Sequence, residues 1–416
     1  MVSASFVGID FGTSGARAIA LSTTGEILAT VRSRDWGLDC AAWQRSLFDL
    51  LAQLPLAVRQ TLQGIAIDGT SSTVLLCDAI GHPLTAPLMY HDARAITSLA
   101  ELRDLAPPHH TVLSATSSLA KLLWYRQDPT FAQARYFLHQ ADWLAFLLHG
   151  KLGYSDYHNS LKLGYDVVNL CYPDWLDQHP VRSLLPNVVP PGSPIAPLLP
   201  EVAAQYQINP QCRIHAGTTD SIAAFLASGA SQPGEAVTSL GSTLVLKLLS
   251  QHRVEDSRYG IYSHRLGDLW LVGGASNTGG AVLKQFFSDD ELVSLSAQID
   301  PTRSSELDYY PLPHPGDRFP INNPNLPPRM EPRPQDPVQF LQGLLEGIAR
   351  IETQAYQQLQ HLGATPLQRV LTAGGGAKNK IWIQIRQNFL GVPVLPATQT
   401  EAAYGVATLM LHSGSA

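Results

Sequence analysis

Short apolar segments separated by glycine- and serine-rich turns open the chain. The segments 6–10, 17–21 and 27–31 are divided by Gly12-Thr13-Ser14-Gly15 and by Thr24-Gly25. Apolar runs bounded by such turns are typical of β-hairpins, so the pattern predicts a β-meander. A helix is predicted around 43–54, and the apolar run 64–67 predicts a buried strand that ends in Asp68-Gly69-Thr70. This order of elements indicates an α/β domain.

The same strand, turn and strand pattern returns in the second half of the chain. The segments 236–240 and 244–248 flank the turn Gly241-Ser242-Thr243. Just before them, a predicted strand at 213–216 ends in Gly217-Thr218-Thr219-Asp220, and a helix of small residues is predicted at 221–228. Two copies of one pattern indicate two domains built on the same plan.

Proline positions mark the irregular parts of the chain. Six prolines between 183 and 200 predict a surface connection without a regular element. Eleven prolines between 301 and 337 predict an irregular but ordered segment, since its tyrosines and Phe319 need burial. A long helix is predicted from Asp336-Pro337 to Gly363, because Asp caps helices and Pro suits their first position. A strand at 369–372 then leads into three glycines and a helix that ends at Gly391.

Bulk properties exclude several classes of protein. A length of 416 residues favours two or three domains. The net charge of −6 comes without a cluster of Lys and Arg, so we expect no nucleic-acid partner. No apolar run is long enough to predict a membrane span, and no export segment is evident at the N-terminus, so we expect a soluble, cytoplasmic protein. Nothing in the sequence indicates an oligomeric state.

The cysteines and histidines show no metal-binding pattern. Cys40, Cys77, Cys171 and Cys212 are far apart in the chain, so we interpret them as buried small hydrophobic residues. No two of the fourteen histidines have the spacing of an H-E-x-x-H motif. There is also no G-x-S-x-G motif, which removes the usual anchor of serine-hydrolase chemistry.

Two turns could bind phosphate. In Asp10-Phe11-Gly12-Thr13-Ser14-Gly15, a carboxylate at a strand end can hold a water of Mg²⁺, while glycine amides and hydroxyls can donate to phosphate. Gly241-Ser242-Thr243 offers the same donors, and two such turns could grip one triphosphate. Ordinary glycine-rich hairpins have the same local pattern and remain the alternative for each turn.

A polar cluster at the junction of strand and helix contains Asp220. A carboxylate there can accept the proton of an attacking hydroxyl, and helix N-terminal amides tolerate its charge. The alternative is that Asp220 only caps the helix.

A glycine-rich loop, Ala373-Gly374-Gly375-Gly376-Ala377-Lys378-Asn379, joins the strand at 369–372 to the last long helix. Backbone without side chains can accept a flat base or a phosphate. The chain lacks both a G-x-G-x-x-G dinucleotide motif and a Walker A motif. This disfavours hydride transfer and a P-loop kinase.

Four of these motifs, in this order along the chain, resemble those of the FGGY carbohydrate kinases: Asp-Phe-Gly-Thr-Ser, Gly-Thr-Thr-Asp-Ser, Ser-Leu-Gly-Ser-Thr and Ala-Gly-Gly-Gly-Ala-Lys-Asn. Lesser stretches, such as Tyr90-His91-Asp92-Ala93-Arg94 and Lys121-Leu122-Leu123-Trp124, add to a resemblance that extends over nearly the whole chain. Within the family the chain looks closest to the short cyanobacterial and plant branch regarded as D-ribulose kinases.

The resemblance implies an α/β fold of two actin-like, ribonuclease H-like lobes with a cleft between them. It places an N-terminal sugar-binding lobe at 1–228 and a C-terminal nucleotide-binding lobe at 229–400, with a helix at 401–416 packed back on the first lobe. It implies ATP and Mg²⁺ as cofactors and a small sugar as substrate. The predicted reaction is transfer of the γ-phosphate to a ketopentose, D-ribulose first, with D-xylulose or another polyol as the alternative.

The resemblance also assigns roles to residues. Asp220 matches the catalytic base, and Asp10 lies at the Mg²⁺ and sugar side of the cleft. Thr13 belongs to the first phosphate turn, and both Thr13 and Asp10 are counted with the catalytic residues. The remaining assignments are Ser14, Gly15, Ala16 and Ser71 for the sugar, and Gly241, Ser242, Gly375, Gly376, Asn379 and Trp382, besides Thr13, for ATP.

The sugar loop departs from the pattern of larger family members. Ser71 lies where those members use a Gln-Met pair, and the short hydroxyl side chains from Thr70 to Thr73 are expected to hydrogen-bond a polyol. Asp92 and Arg94 are expected to add to the polar pocket. A protein of the same fold that uses ATP to drive a conformational switch, without sugar chemistry, is the alternative from another class.

Overall fold

The computed structural model describes residues 4–411, which form two units. The first contains the described residues up to Ala227 together with those from Glu401 onward, and the second is Ser228–Thr400. Each unit is built on a six-stranded sheet of its own. The expected mixed α/β class is therefore confirmed.

The first unit alternates strands and helices in a βββ-α-β order at its start. Its strands are β1 (Ser5–Phe11), β2 (Ala16–Ser22), β3 (Ile27–Arg32), β4 (Leu62–Gly69), β5 (Val74–Cys77), β6 (Tyr136–His139), β7 (Tyr154–Asp156), β8 (Asn187–Val189), β9 (Pro194–Pro197) and β10 (Arg213–Thr219). Its helices up to Ala227 are α1 (Cys40–Gln53), α2 (Leu56–Thr61), α3 (Leu99–Leu105), α4 (Ser118–Tyr125), α5 (Gln140–His149), α6 (Tyr157–Ser160), α7 (Asp174–Asp177), α8 (Pro200–Tyr206) and α9 (Asp220–Ala227). Short 3₁₀ helices lie at Arg94–Ser98, Pro129–Gln133, Leu161–Leu163 and Pro180–Leu184.

The second unit has six strands and four α-helices. Its strands are β11 (Glu235–Leu240), β12 (Leu244–Ser250), β13 (Tyr262–Leu266), β14 (Leu269–Ser276), β15 (Arg369–Ala373) and β16 (Val394–Pro396). Its helices are α10 (Gly280–Leu283), α11 (Asp289–Ser296), α12 (Pro337–His361) and α13 (Lys380–Leu390), with 3₁₀ helices at Ser257–Tyr259 and Gly375–Lys378. The chain then returns to the first unit with α14 (Ala402–Leu411). The last five positions of the predicted C-terminal helix, 412–416, lie outside the described residues, as do 1–3.

Both main sheets share one plan, as the repeated sequence pattern predicts. In the first unit the order is β3-β2-β1-β4-β10-β9, with β1, β2 and β3 antiparallel and β4 parallel to both β1 and β10. In the second the order is β13-β14-β12-β11-β15-β16, where β11, β12 and β14 are antiparallel, β13 adds a further antiparallel strand at the edge, and β15 is parallel to both β11 and β16. Parallel neighbours need a crossover connection, and each unit supplies one that contains helices.

Apolar side chains from sheet and helices form the cores. In the first unit α1 buries Trp43, Leu47 and Leu50 against the sheet. Helix α14 forms a separate apolar cluster, in which Val406 and Met410 pack with Ile19 and Leu21 of β2. In the second unit α12 supplies most of the apolar helix face, including Leu344 and Ile348. Asp336 caps α12 by accepting a hydrogen bond from the Val338 amide, as predicted from the sequence.

Three local predictions need correction. The stretch 183–200 is not devoid of regular structure, because it contains β8 and β9; the prolines of β9 are tolerated at the edge of the sheet, where strand amides need no partner. Strand β10 continues past the predicted end at 216 through Thr219, so α9 begins directly at Asp220. Cys171 is exposed, whereas the other three cysteines are buried.

Within residues 4–411 we find no helix with the length and apolar character needed to cross a bilayer.

Candidate active site

A row of polar side chains crosses the main sheet of the first unit. Asp10 at the end of β1 is in register with Arg17 on β2 and with Asp68 on β4, and Asp68 is in register with Thr218 on β10. Side chains in register on neighbouring strands point to the same face of a sheet. The four residues therefore form one polar row, which we call the carboxylate row.

Asp10 lies in the middle of this row and is 6% exposed. Its Oδ2 is 3.3 Å from Nε of Arg17, which also pairs with Glu401 at the start of the C-terminal segment. Burial raises the pKa of Asp10 to about 6, while a hydrogen bond with Asp68 and the charge of Arg17 oppose the rise and the charges of Asp220 and Glu401 add to it. The site thus holds more carboxylates than cations.

Asp68 is a site residue to which the sequence analysis gives no role. Its side chain is fully buried, and neither carboxyl oxygen accepts a hydrogen bond from a protein donor in residues 4–411. Burial raises the pKa of Asp68 well above its ordinary value, and the charges of Asp10 and Asp220 raise it further. A protonated Asp68 can donate to Asp10, so the pair then carries one negative charge instead of two. An acidic residue at the end of an otherwise apolar strand was the signal available in the sequence.

The turn after β1 presents its polar groups outward. The Gly12 amide donates to the Gly15 carbonyl at 3.2 Å, which closes the turn, and Thr13 and Ser14 are exposed at its tip. Ala16 has its side chain in the core, and its carbonyl accepts a hydrogen bond from the Ser33 amide. These contacts use the Ala16 side chain and one acceptor position of its carbonyl, and the sugar contact of Ala16 stays a prediction.

Asp220 is the first residue of α9 and is half-buried. Its Oδ1 accepts a hydrogen bond from the Ser221 amide at 2.6 Å. Because its charge raises the pKa of both Asp10 and Asp68, the three carboxylates lie in one electrostatic environment. The structure thus brings the predicted base and the predicted Mg²⁺ ligand together.

The loop from Thr70 to Thr73 differs from the sequence expectation. Thr70 and Thr73 are buried, their hydroxyls pair at 2.5 Å, and Thr73 Oγ1 also accepts a hydrogen bond from the Tyr90 amide at 3.0 Å. The expectation that these two hydroxyls face a polyol is therefore wrong, because both have partners inside the protein. Ser71 is the loop residue that stays partly exposed. Arg94 pairs with Asp92 at 2.9 Å and lies over the ring of Trp124.

A pocket of about 740 Å³ lies in the second unit. It brings together the residues predicted there for ATP, namely Gly241, Ser242, Gly375, Gly376, Asn379 and Trp382. Its volume is within the range of pockets for small ligands. The pocket is also lined by three lysines, Lys284, Lys378 and Lys380. Their positive charge suits phosphate.

Helices α10 and α11 form a wall of this pocket that the sequence analysis missed. The wall residues are Gly280, Ala281, Leu283, Lys284, Asp289, Leu292, Val293, Ser296 and Ala297. The Gly280 amide donates to the Gly241 carbonyl at 2.8 Å, and the Ala281 amide donates to the Ser242 carbonyl at 3.1 Å. The first turn of α10 thereby fixes the Gly241 turn. The glycine pair that follows β14 was the available signal.

Asn379 and Trp382 also line this pocket. Asn379 Oδ1 caps α13 by accepting from the Trp382 amide at 3.0 Å, and its Nδ2 donates to Ser296 Oγ at 2.8 Å. The Trp382 ring is buried, and its Nε1 donates to the Leu345 carbonyl at 3.2 Å. Gly376 packs tightly between Leu240 and Trp382, whereas Gly375 faces open space.

Comparison with known proteins assigns the family. Residues 5–227 match the N-terminal domain, and residues 236–413 the C-terminal domain, of the FGGY family of carbohydrate kinases. The xylulose kinase of Bacillus subtilis (strain 168) is 22% identical over 98% of this chain and 88% of its own length. The gluconokinase of the same organism is 21% identical over 98% and 87%, and the ribulokinase of Halalkalibacterium halodurans is 27% identical over 46% and 39%.

Solved structures share the fold. A xylulose kinase from Rhodospirillum rubrum superposes with a TM-score of 0.84 and 22% identity, over 99% of this chain and 90% of that one. The glycerol kinase of Plasmodium falciparum, solved with ADP, gives a TM-score of 0.81 and 17% identity over 98% and 89%. With both family domains matched along the chain, the protein belongs to the FGGY family of carbohydrate kinases and is a sugar kinase.

Proposed function

We propose that the protein transfers the γ-phosphate of ATP to a hydroxyl of D-ribulose, giving D-ribulose 5-phosphate, with Asp220 as the general base. The observation that carries the proposal is the group of three carboxylates in the first unit. Asp10 and Asp68 are buried, and Asp220 is the more accessible of the three. A base must reach the hydroxyl that it deprotonates, so Asp220 suits that role best.

The position of Asp220 at the start of a helix also suits a carboxylate. The N-terminus of α9 carries a partial positive charge, which stabilises a carboxylate there. The residue lies between β10 and α9, whose regular backbone holds the carboxylate in position. Thr13 and Ser14 supply exposed hydroxyls for phosphate or sugar in the same unit.

ATP is assigned to the pocket of the second unit. Its glycine-lined surface lets a flat base approach the backbone at Gly375, and the Gly241-Ser242 turn offers donors to phosphate. The P. falciparum glycerol kinase of the same fold was solved with ADP. Phosphoryl transfer depends mainly on positioning and on stabilisation of charge, which this lysine-containing pocket can provide.

Mg²⁺ fits the residues of the carboxylate row. The ion prefers oxygen ligands and keeps several of its waters, so one or two carboxylates suffice. Asp10 would hold the ion. The two carboxyl oxygens of Asp68 lack protein donors among the described residues, and they are oxygens of the kind that Mg²⁺ prefers. When bound, Mg²⁺ neutralises charge on the transferring phosphate.

The choice of D-ribulose rests on the branch of the family that the sequence resembles, and the partly exposed Ser71 is the hydroxyl that we propose to distinguish the pentuloses. D-xylulose is the second candidate, since several full-length relatives are xylulose kinases. The alternative of a nucleotide-driven switch without sugar chemistry is disfavoured by membership in a family of carbohydrate kinases.

The Asp220→Asn variant tests the base. We expect it to fold and to bind ATP normally by calorimetry, yet to lose on the order of 10²–10⁴ in kcat. Asp104→Asn, which alters an exposed carboxylate on α3 of the same unit, serves as the matched control and should keep full activity. A kcat close to that of the natural protein would remove Asp220 from the mechanism.

A coupled assay of ADP release tests the substrate. D-ribulose should give a kcat/KM at least roughly tenfold above that of D-xylulose, since leaving one buried polar group unpaired costs ~1–3 kcal/mol. Gluconate and glycerol belong in the same panel. Equal values for the two pentuloses, or a preference for gluconate or glycerol, would contradict the substrate assignment without affecting the family.

A further inference from the structure

Lys121 is a buried cation that the proposed mechanism does not use. It lies on α4 and has no exposed side-chain surface. Its Nζ donates to the carbonyl of Ser72 at 2.8 Å and to the carbonyl of Met89 at 2.7 Å. Lysines are almost never fully buried unless they are paired. The burial of Lys121 against two backbone carbonyls therefore requires an explanation.

The first contact restrains a residue in an unusual conformation. Ser72 has φ +61°, in the left-handed region that residues other than glycine seldom adopt. Its hydroxyl is buried, and within residues 4–411 it has no hydrogen-bond partner. Such a conformation costs ~1–3 kcal/mol and persists only where the surroundings fix it. The bond from Lys121 to the Ser72 carbonyl is one of the contacts that fix it.

The second contact joins the same loop to the segment around Met89. The Tyr90 amide donates to Thr73 Oγ1 at 3.0 Å, next to the carbonyl that Lys121 holds. The Val74 amide and the Leu88 carbonyl pair at 3.0 Å as well. Lys121 of α4 therefore adds a third link between two backbone segments that these two contacts also join.

Burial also changes the titration of Lys121. It lowers the pKa of this amine to about 7, against the opposing charge of Asp92. A neutral amine keeps two N–H donors, and the structure gives it two carbonyl acceptors. Both contacts can therefore form whether or not the amine is protonated.

We infer that Lys121 is a positioning residue of the sugar site: by cross-linking the carbonyls of Ser72 and Met89 it fixes the loop that presents Ser71 to the substrate. The inference rests on the proposed function in one respect, which is the placement of the sugar beside Ser71. Lys121 itself is buried and acts through the loop. Its loss should therefore affect the affinity for sugar more than the chemical step.

Lys121→Met keeps most of the apolar stem and removes both hydrogen bonds. We expect the KM for the sugar to rise about tenfold or more, because only the fraction of molecules with a correctly formed loop binds sugar at full affinity. The kcat at saturating sugar should stay within about threefold, and the Kd for ATP should not change. Amide exchange should become faster in 70–73 and 89–90, and this measurement needs no substrate.

Two variants serve as controls. Tyr125→Phe alters another buried side chain of α4, whose hydroxyl donates to the Ala86 carbonyl at 3.1 Å and to neither of the two carbonyls that Lys121 holds. It should lower Tm but leave the KM for sugar unchanged. Lys151→Met removes an exposed lysine of the same unit and should change neither quantity.

The inference is overturned if Lys121→Met leaves the KM for sugar and the amide exchange of the loop unchanged. It is also overturned if Tyr125→Phe, at a similar loss of Tm, raises that KM as much. Should Lys121→Met fail to fold, the double variant Lys121→Met with Ser72→Gly can be measured instead. Glycine adopts positive φ freely, so this variant relieves the backbone strain at position 72. Should no ketose be phosphorylated by the natural protein, the proposed function fails while amide exchange still tests the positioning.

Discussion

Substitutions at two adjacent glycines of the second unit should separate nucleotide binding from stability. A Cβ at Gly375 would meet no protein atom within 4 Å, whereas a Cβ at Gly376 would lie 2.7 Å from two Leu240 carbons and 2.9 Å from the Trp382 ring. Both residues line the pocket assigned to ATP. We therefore predict that Gly375→Val damages ATP binding alone and that Gly376→Ala damages the fold.

The geometry gives the size of each effect. At Gly375 the added side chain enters the space of the ligand, and a steric conflict of ~1–3 kcal/mol corresponds to a roughly 5- to 150-fold weaker Kd for ATP. The free energy of unfolding should fall little or even rise slightly, since replacing a glycine restricts the unfolded chain. At Gly376 the same conflict of ~1–3 kcal/mol arises within the protein and lowers the free energy of unfolding.

Calorimetric titration with ATP and urea unfolding measure the two quantities on the same samples. Gly375→Ala should fall between the natural protein and Gly375→Val in its Kd for ATP. Gly391→Ala, at an open left-handed position outside the pocket, controls for loss of a glycine in this unit. The reasoning fails if Gly375→Val binds ATP with unchanged affinity, or if Gly376→Ala unfolds at the same urea concentration as the natural protein.

Two further predictions concern buried charges. Arg17 lowers the pKa of Asp10, which burial raises to about 6, so Arg17→Gln should raise that pKa further. In the proposed mechanism ionised Asp10 holds Mg²⁺, so the acid limb of the profile of kcat/KM against pH is expected to move to higher pH. In the second unit Arg386 pairs with Glu352 at 2.6 Å, both with fully buried side chains. Arg386→Met leaves Glu352 buried without this cation and should lower the free energy of unfolding by ~3–5 kcal/mol.

Each of these predictions has an exposed counterpart. Arg32→Gln, at the register partner of Arg17 on β3, should leave the pH profile unchanged. An unchanged profile for Arg17→Gln itself would mean that Asp10 does not set the acid limb. Arg253 pairs with Glu255 on the surface, so Arg253→Met should cost less than ~1 kcal/mol in urea unfolding. If Arg386→Met cost as little, the buried pair would contribute nothing specific.

The sequence predicts the plan of the fold because its signals are local. Apolar runs, glycine turns and the capping pair Asp336-Pro337 each act within a few residues, and the meander, the repeat and α12 are all observed. The prediction for 183–200 was wrong because proline content does not reveal that a strand lies at a sheet edge. The predicted end of β10 was also wrong, because polar residues continue a strand when a neighbouring strand pairs with them.

The parts of the site that the sequence did not predict depend on contacts between distant residues. Asp68 becomes significant only through its register with Asp10, and Lys121 only through carbonyls at Ser72 and Met89. Nor does a run of threonines and serines show which hydroxyls bind each other. The hydroxyls of Thr70 and Thr73 are hydrogen-bonded to each other inside the protein, while Ser71 stays partly exposed.

The shared plan of the two sheets explains how one fold gives two kinds of site. Ser239 of β11 precedes the Leu240-Gly241 turn as Asp10 of β1 precedes the Phe11-Gly12 turn, so the two are equivalent. Asp10 has Asp68 as its parallel partner, whereas Ser239 has Ala373. Under the proposed function the two carboxylates of the first unit serve a cation and an alcohol, whereas the second unit has small side chains at the equivalent positions. Small side chains leave the backbone open to a nucleotide, and carboxylates there would repel its phosphates. Substituting Ser239 by Asp is therefore expected to weaken ATP binding without changing the fold.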